Sequence, residues 1–309
     1  MRNFDKPAIE IADQIELLKA RGLHFQDEKR AAHFLEAVSF FRLTPYMKPF
    51  QHSNDPEHTF LKGTGFKNLT RLYDFDRRLR LLVMDAVERI EVAVRAVISH
   101  HMSVQYNNPH WYMDRTLFWS GEKHQELLAQ IRHAQKKASN HNRVESYARH
   151  YVKTYCTPEL IPGWAMIEEL SLGDLSYLYS NLKENADKKS IARKLNLQMP
   201  LLKSWLHSLT TIRNICAHHS RLWNRKLGVS PELPKSRNRN MQWVNSQPNQ
   251  LNSKRIYPIL CILCYLMRQV SPNTSWDTRF LDLLNEFPEI DQPAMGFPSD
   301  WMNDPFWPK

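Results

Sequence analysis

Apolar residues recur at helical spacing from Phe66 to about His101, and few folds accommodate so long a period. Leu69, Leu72, Leu79, Leu82, Val83, Ala86, Ile90, Val94 and Val97 keep the three- and four-residue steps of one helix face. At 1.5 Å per residue the segment makes a rod of roughly 54 Å, and its apolar stripe has to be covered along that length. It therefore predicts the core helix of a bundle. The remaining positions carry Arg71, Arg77, Arg78, Arg80, Glu88, Arg89, Glu91 and Arg95, a charged side on which Glu91 and Arg95 can pair at i,i+4.

The rest of the chain agrees with that element. Among 309 residues there are eight glycines, and no segment shows a sustained Val/Ile/Thr alternation, so an all-α fold is expected. Ile9–Arg21 and a helix capped by Asp27 predict an N-terminal helical lobe over residues 1–65, closed by a polar loop from Gln51 to Gly65. Residues 66–309 then form the main helical domain with a C-terminal extension. Its shorter helices are expected at Glu122–Ala138, Val144–Tyr155, Trp164–Leu170, Asp187–Leu195, Ile256–Val270 and Trp276–Phe287. Ser171 and Asp174 stand in a capping-box pattern that starts another near Leu172 and runs it to Leu182. Tail aromatics Phe297, Trp301, Phe306 and Trp307 are expected to staple the extension to the body.

Composition narrows the partners. A net charge of +10 and a pI near 9.4 favour a polyanion, nucleic acid before membrane. The first residues mix acidic groups among apolar ones and do not read as a signal peptide, and the longest apolar run, Ile256 to Met267, falls short of the roughly 20 residues that span a bilayer. A cytoplasmic protein with no membrane partner is expected. Cys261 and Cys264 have the spacing of a metal knuckle but no second pair, and His100-His101 has no third ligand nearby, so no metal and no cofactor are expected.

The chemically richest stretch is Leu201–Leu227, read as a single helix with Pro200 at its start and Gly228 at its end. Trp205, Leu209, Ile212, Cys216 and Trp223 make its apolar stripe. Asn214, His218, Arg221 and Arg225 project from nearly the opposite side. Arg213 lies at the border, able to swing alongside His218 or to meet the His218 of a second copy across a two-fold axis. His219 falls toward the apolar stripe and is expected to pack or hydrogen-bond in the core. An imidazole, a guanidinium and a carboxamide without a carboxylate pair suggest phosphate chemistry on RNA, where the 2′-OH is a built-in nucleophile; no DNA partner is expected. The long polar span to Arg255 supplies Lys235, Arg237, Arg239, Lys254 and Arg255 as candidate RNA contacts, joining Arg221 and Arg225. Trp243 within it either stacks on a base or anchors the loop.

Arg213-Asn214-Ile-Cys-Ala-His218 resembles the R-x4–6-H signature of HEPN-domain ribonucleases. The wider chain resembles the Abi-like (AbiD/AbiF) abortive-infection family. The likeness is carried by SFFRLTPYMKPF (Ser39 to Phe50), the Phe66 to Met102 helix, GWAMIEELSLGDLSYLY (Gly163 to Tyr179), RNICAHHSRLWNRKL (Arg213 to Leu227) and the tail MGFPSDWMNDPFW (Met295 to Trp307), in that order. The resemblance implies a HEPN-like helical bundle with additional N- and C-terminal helices, dimerising so that two Arg/His motifs share one cleft. It implies a metal-independent endoribonuclease leaving 2′,3′-cyclic phosphate and 5′-OH ends, with His218 as acid/base, Arg213 stabilising the transition state and Asn214 orienting the phosphate. Glu91, Arg95 and His219 are expected to support that site. It further implies a phage-defence toxin restrained by a small structured noncoding RNA. The alternative reading is a catalytically inactive RNA-binding protein on the same fold, and a third is a helical interaction scaffold.

Overall fold

The structure, a computed structural model, describes residues 7–140, 147–235, 241–245 and 252–308. Among these residues it is all-α, with twelve α-helices, short 3-10 turns and no strand, only three isolated bridges. The helices are α1 (Ile11–Ala20), α2 (Glu28–Val38), α3 (Phe40–Met47), α4 (Phe66–Gln105), α5 (Gly121–Asn140) and α6 (Tyr147–Thr154). They continue with α7 (Gly163–Met166), α8 (Leu172–Asn181), α9 (Asn185–Arg193), α10 (Met199–Ala217), α11 (Tyr257–Val270) and α12 (Trp276–Glu286). No described helix is long and apolar enough to cross a membrane.

The long period becomes α4, with Leu69, Leu79, Val83, Ala86, Ile90 and Val94 buried along one side. Asp27 caps α2 by accepting from the Arg30 N–H at 3.0 Å. At the start of α8 the Ser171 hydroxyl accepts from the Asp174 N–H and the Asp174 carboxylate accepts from the Ser171 N–H, at 3.2 and 3.0 Å, which completes the capping box. Local signals thus mark these ends.

The chain resolves into two compact units. One holds the described residues up to Arg80 together with Asp282–Ile290. Its centre is a buried polar group in which the Tyr46 hydroxyl donates to Asp76 at 2.5 Å and Arg80 donates to Asp76. Burial among these charges raises the Tyr46 phenol and keeps it protonated. Arg71 and Arg78 lie over the Phe287 ring at 4.8 and 5.2 Å while pairing with Glu289 and Glu286, and Phe75 meets the same ring edge-on at 5.6 Å.

The other unit spans Leu81–Leu281 and the described residues from Asp291. Residues Tyr257 to Met267 of α11 are buried on every side, so this helix is its hydrophobic axis. Burial pushes the Cys261 thiol well above its ordinary range and the Cys264 thiol up to about 12. Phe297, Trp301 and Trp307 are buried around Tyr257 and Phe280, with the Trp307 indole N–H donating to the Tyr257 hydroxyl at 3.2 Å, and buried Phe306 meets Trp307 edge-on. The tail is a staple, as its composition predicts. Within this unit α10 packs against α8, α9 and α11, and α8 is its main neighbour.

Candidate functional site

The Arg/His stretch sits at the end of α10, and that end differs from the expectation. Leu201, Leu202, Trp205, Leu206, Leu209, Ile212 and Cys216 form the buried face, yet the helix stops at Ala217 instead of running to Leu227. His218 is the C-cap and its N–H still bonds to the Asn214 carbonyl at 3.0 Å. His219 then turns left-handed at φ 55°. The His219 N–H donates to Cys216 O at 2.9 Å and the Ser220 N–H to Ile215 O at 3.0 Å, the paired bonds of a Schellman terminus. These bonds satisfy carbonyls that a continuing helix would have used, and the left-handed residue redirects the chain. Histidine tolerates that conformation better than most side chains, so no glycine announces the stop.

Two expectations change with it. His219 does not enter the core; it is exposed, as is His218. Arg221 and Arg225 cannot be placed by helical spacing, because they follow the turn. Leu222 and Trp223 are nonetheless buried, so the apolar demand that suggested a longer helix is met by irregular chain. Asn214 and His218 remain one helical turn apart, both exposed, and the half-buried Arg213 donates from its guanidinium to Asn214 Oδ1 at 3.4 Å.

Cations gather beyond the turn. Arg225 and Arg221 are half-buried, with Arg225 donating to the Arg221 carbonyl at 3.4 Å. The Leu227 N–H donates to Lys254 O at 2.8 Å, and the Arg255 guanidinium donates to Asn224 O and Oδ1 at 3.1 and 2.7 Å. Lys254 and Arg255 are thus sewn to the segment that follows His219. Arg255 does so as a half-buried anchor, packed where a Cβ on Gly296 would come within 2.6 Å of its own Cβ. A helix C-terminus is the negative end of the helix dipole and on its own repels an anion.

The expected basic flap otherwise divides. The Glu232 N–H donates to Ser204 Oγ and the Trp205 indole to Glu232 O, both at 2.8 Å, which carries exposed Lys235 toward the first half of α10. Trp243 stacks on Trp205 with ring centres 5.5 Å apart and meets Tyr265 and Phe306. It anchors the loop. Arg237 and Arg239 lie outside the described residues.

Glu91 and Arg95 pair on α4, as their spacing predicts. Arg95 also donates to Glu168 at 3.0 Å and to the Leu170 carbonyl at 2.8 Å. Leu170 immediately precedes Ser171, the cap of α8, so the pair fixes the helix on which α10 rests. Neither side chain is bonded to α10 in these contacts. Asp174 extends the same frame by accepting from Gln130 of α5 at 2.9 Å.

A cavity of about 420 Å³ lies beside this frame, lined by Arg95, Ser99, His100, Ser103, Trp164 and Ile167 among others. The two adjacent histidines separate here. His101 bonds to the buried Asp187 at 2.9 Å, whereas His100 is exposed on the cavity. No sequence signal marked it; Trp164 faces out because Gly163, Met166 and Ile167 form the buried side of α7 and its 3-10 extension.

Among the described residues no group of three His, Cys, Asp or Glu is arranged to hold a metal ion. A family model described as Abi-like protein matches residues 33–224, a span that contains Arg213, Asn214 and His218 and ends at Asn224. No curated protein and no solved structure matches the chain.

Proposed function

The chain belongs to the Abi-like family, which implies abortive-infection phage defence, and from that premise we propose that it is a metal-independent endoribonuclease acting as a toxin. The observation that carries the reading is the exposed end of α10, where His218 caps the helix one turn beyond Asn214 and Arg213 touches the same carboxamide. An imidazole there can take the proton of a ribose 2′-OH or return one to the 5′-oxygen leaving group. A guanidinium can stabilise the charge that gathers on the phosphate oxygens, and the Asn214 amide can orient them. Attack by the 2′-oxygen on its own phosphate forms the 2′,3′-cyclic phosphate and expels the 5′-oxygen, which leaves with a proton as a 5′-OH. No water enters this step. Arg225, Lys254 and Arg255 would draw the RNA backbone toward an end of the helix that on its own repels it.

The same reading includes a homodimer that brings two Arg/His motifs together, and a structured noncoding RNA that restrains the toxin between infections. The experiment is expression of the wild type and of His218→Ala in a bacterial host, with sequencing of RNA 5′-OH ends and growth followed in parallel. Growth arrest and new 5′-OH ends with the wild type alone are expected. Equal 5′-OH ends from both proteins would remove His218 from the chemistry. RNA retained by both with no new ends would favour an RNA-binding protein.

A further inference from the structure

We propose that the cavity beside Trp164 is a subsite for one unpaired base of a single-stranded RNA. The inference rests on the ribonuclease reading and adds to it a place where the substrate is held. The cavity lies wholly in the unit that carries α10, and its volume, about 420 Å³, is within the range of small-ligand sites.

Its walls select the ligand. Trp164 is 50% exposed, although Met166 of the same helix and Ile167 of its 3-10 extension are fully buried. Gly163 explains the placement: a Cβ there would lie 2.7 Å from the Trp111 indole nitrogen, so the inner side of α7 is already filled at that point and the next side chain faces outward. A bare indole beside a cavity offers a flat apolar surface of the kind on which bases stack. Ser99 and Ser103 keep the α4 wall low, and the buried Ser103 hydroxyl has no hydrogen-bond partner. Exposed His100 adds a ring nitrogen at the rim.

The charges argue against a phosphate as the group bound. Arg95 is the lining guanidinium; its two terminal nitrogens are already held by Glu91, Glu168 and the Leu170 carbonyl, and its buried Nε has no partner. Two carboxylates against one guanidinium leave the pocket without positive charge to offer. A flat, neutral heterocycle with hydrogen-bonding edges fits; a phosphate, sulfate or free carboxylate does not.

The test uses the full chain carrying His218→Ala, so that RNA is bound and not cut, with a short single-stranded RNA containing 4-thiouridine. Crosslinked peptides should include Trp164 or the Ser99–Val104 stretch of α4. Adding Trp164→Ala should weaken binding by about 5- to 150-fold, the effect of losing one stacked base. Trp164→Phe should keep most of the affinity, and the slope of log Kd against log salt should not change, because no phosphate contact is lost. If the parent binds RNA, the alanine variant stays within two-fold and crosslinks map elsewhere, the subsite is wrong while the ribonuclease reading stands. If the parent binds no RNA at all, both fall. Should Trp164→Ala lower the association state while affinity per protomer is unchanged, the indole belongs to a protein interface and the proposal is overturned.

Discussion

His219 is the residue on which the candidate site turns, because its left-handed backbone ends α10 and brings His218 out at the cap. A glycine there keeps the turn at no steric cost, whereas a β-branched side chain strains it. His219→Val is therefore expected to lower the stability of the chain by about 1–2 kcal/mol, measured by urea denaturation. His219→Gly should keep the turn and, if His218 is the acid/base group, should retain cleavage; loss of cleavage in a stable glycine variant would assign the chemistry to the second imidazole. The sequence showed the right residue types here and hid their geometry. Trp223 looked like part of a helical stripe and is indeed buried, but through irregular chain. Periodicity reports that a residue must be covered, not the backbone that covers it.

At the level of elements, what was legible is what is coded locally. The capping box of α8 could be read from Ser171 and Asp174 alone, and the length of α4 from its apolar period. The cavity could not, since it forms only when α7 comes to rest against a distant part of α4. The capping pair also makes a pH prediction. Burial alone would raise the Asp174 carboxyl, but hydrogen bonds from Ser171 and Gln130 outweigh it and hold the group below its ordinary value of 3.8. A depressed folded-state value means that this stabilisation is complete above the unfolded value and is lost as pH falls through the folded one. Asp174→Asn should thus cost about 1–3 kcal/mol near neutral pH, and its deficit against the wild type should shrink below about pH 4. Urea midpoints across that range check both the size and the direction; a constant deficit would show that the side chain's charge is irrelevant.

At the scale of the whole molecule, Arg213 and His218 are separated by more than one helical turn, which leaves open a site shared between two copies. Mixing Arg213→Ala with His218→Ala protein decides it. If each site takes Arg213 from one protomer and His218 from the other, a randomly exchanged mixture recovers about a quarter of wild-type cleavage, because half the dimers hold one intact site. If each protomer is self-sufficient, the mixture stays inactive. The basic composition was legible as attraction to polyanions, but it did not tell which cations stand together; Lys254 and Arg255 are tied to Leu227 and Asn224, whereas Lys235 follows the stretch of chain held at Ser204. The closure of the unit containing α1 to α3 also has a consequence in time. Arg71 finds Glu289 across 218 positions of chain, and Phe75 finds Phe287 across a similar gap. During synthesis the N-terminal segment must wait, with part of its apolar surface uncovered, until residues 282–290 have left the ribosome. The order of manufacture is therefore not the order of completion, and the part of the chain made first is among the last to be finished.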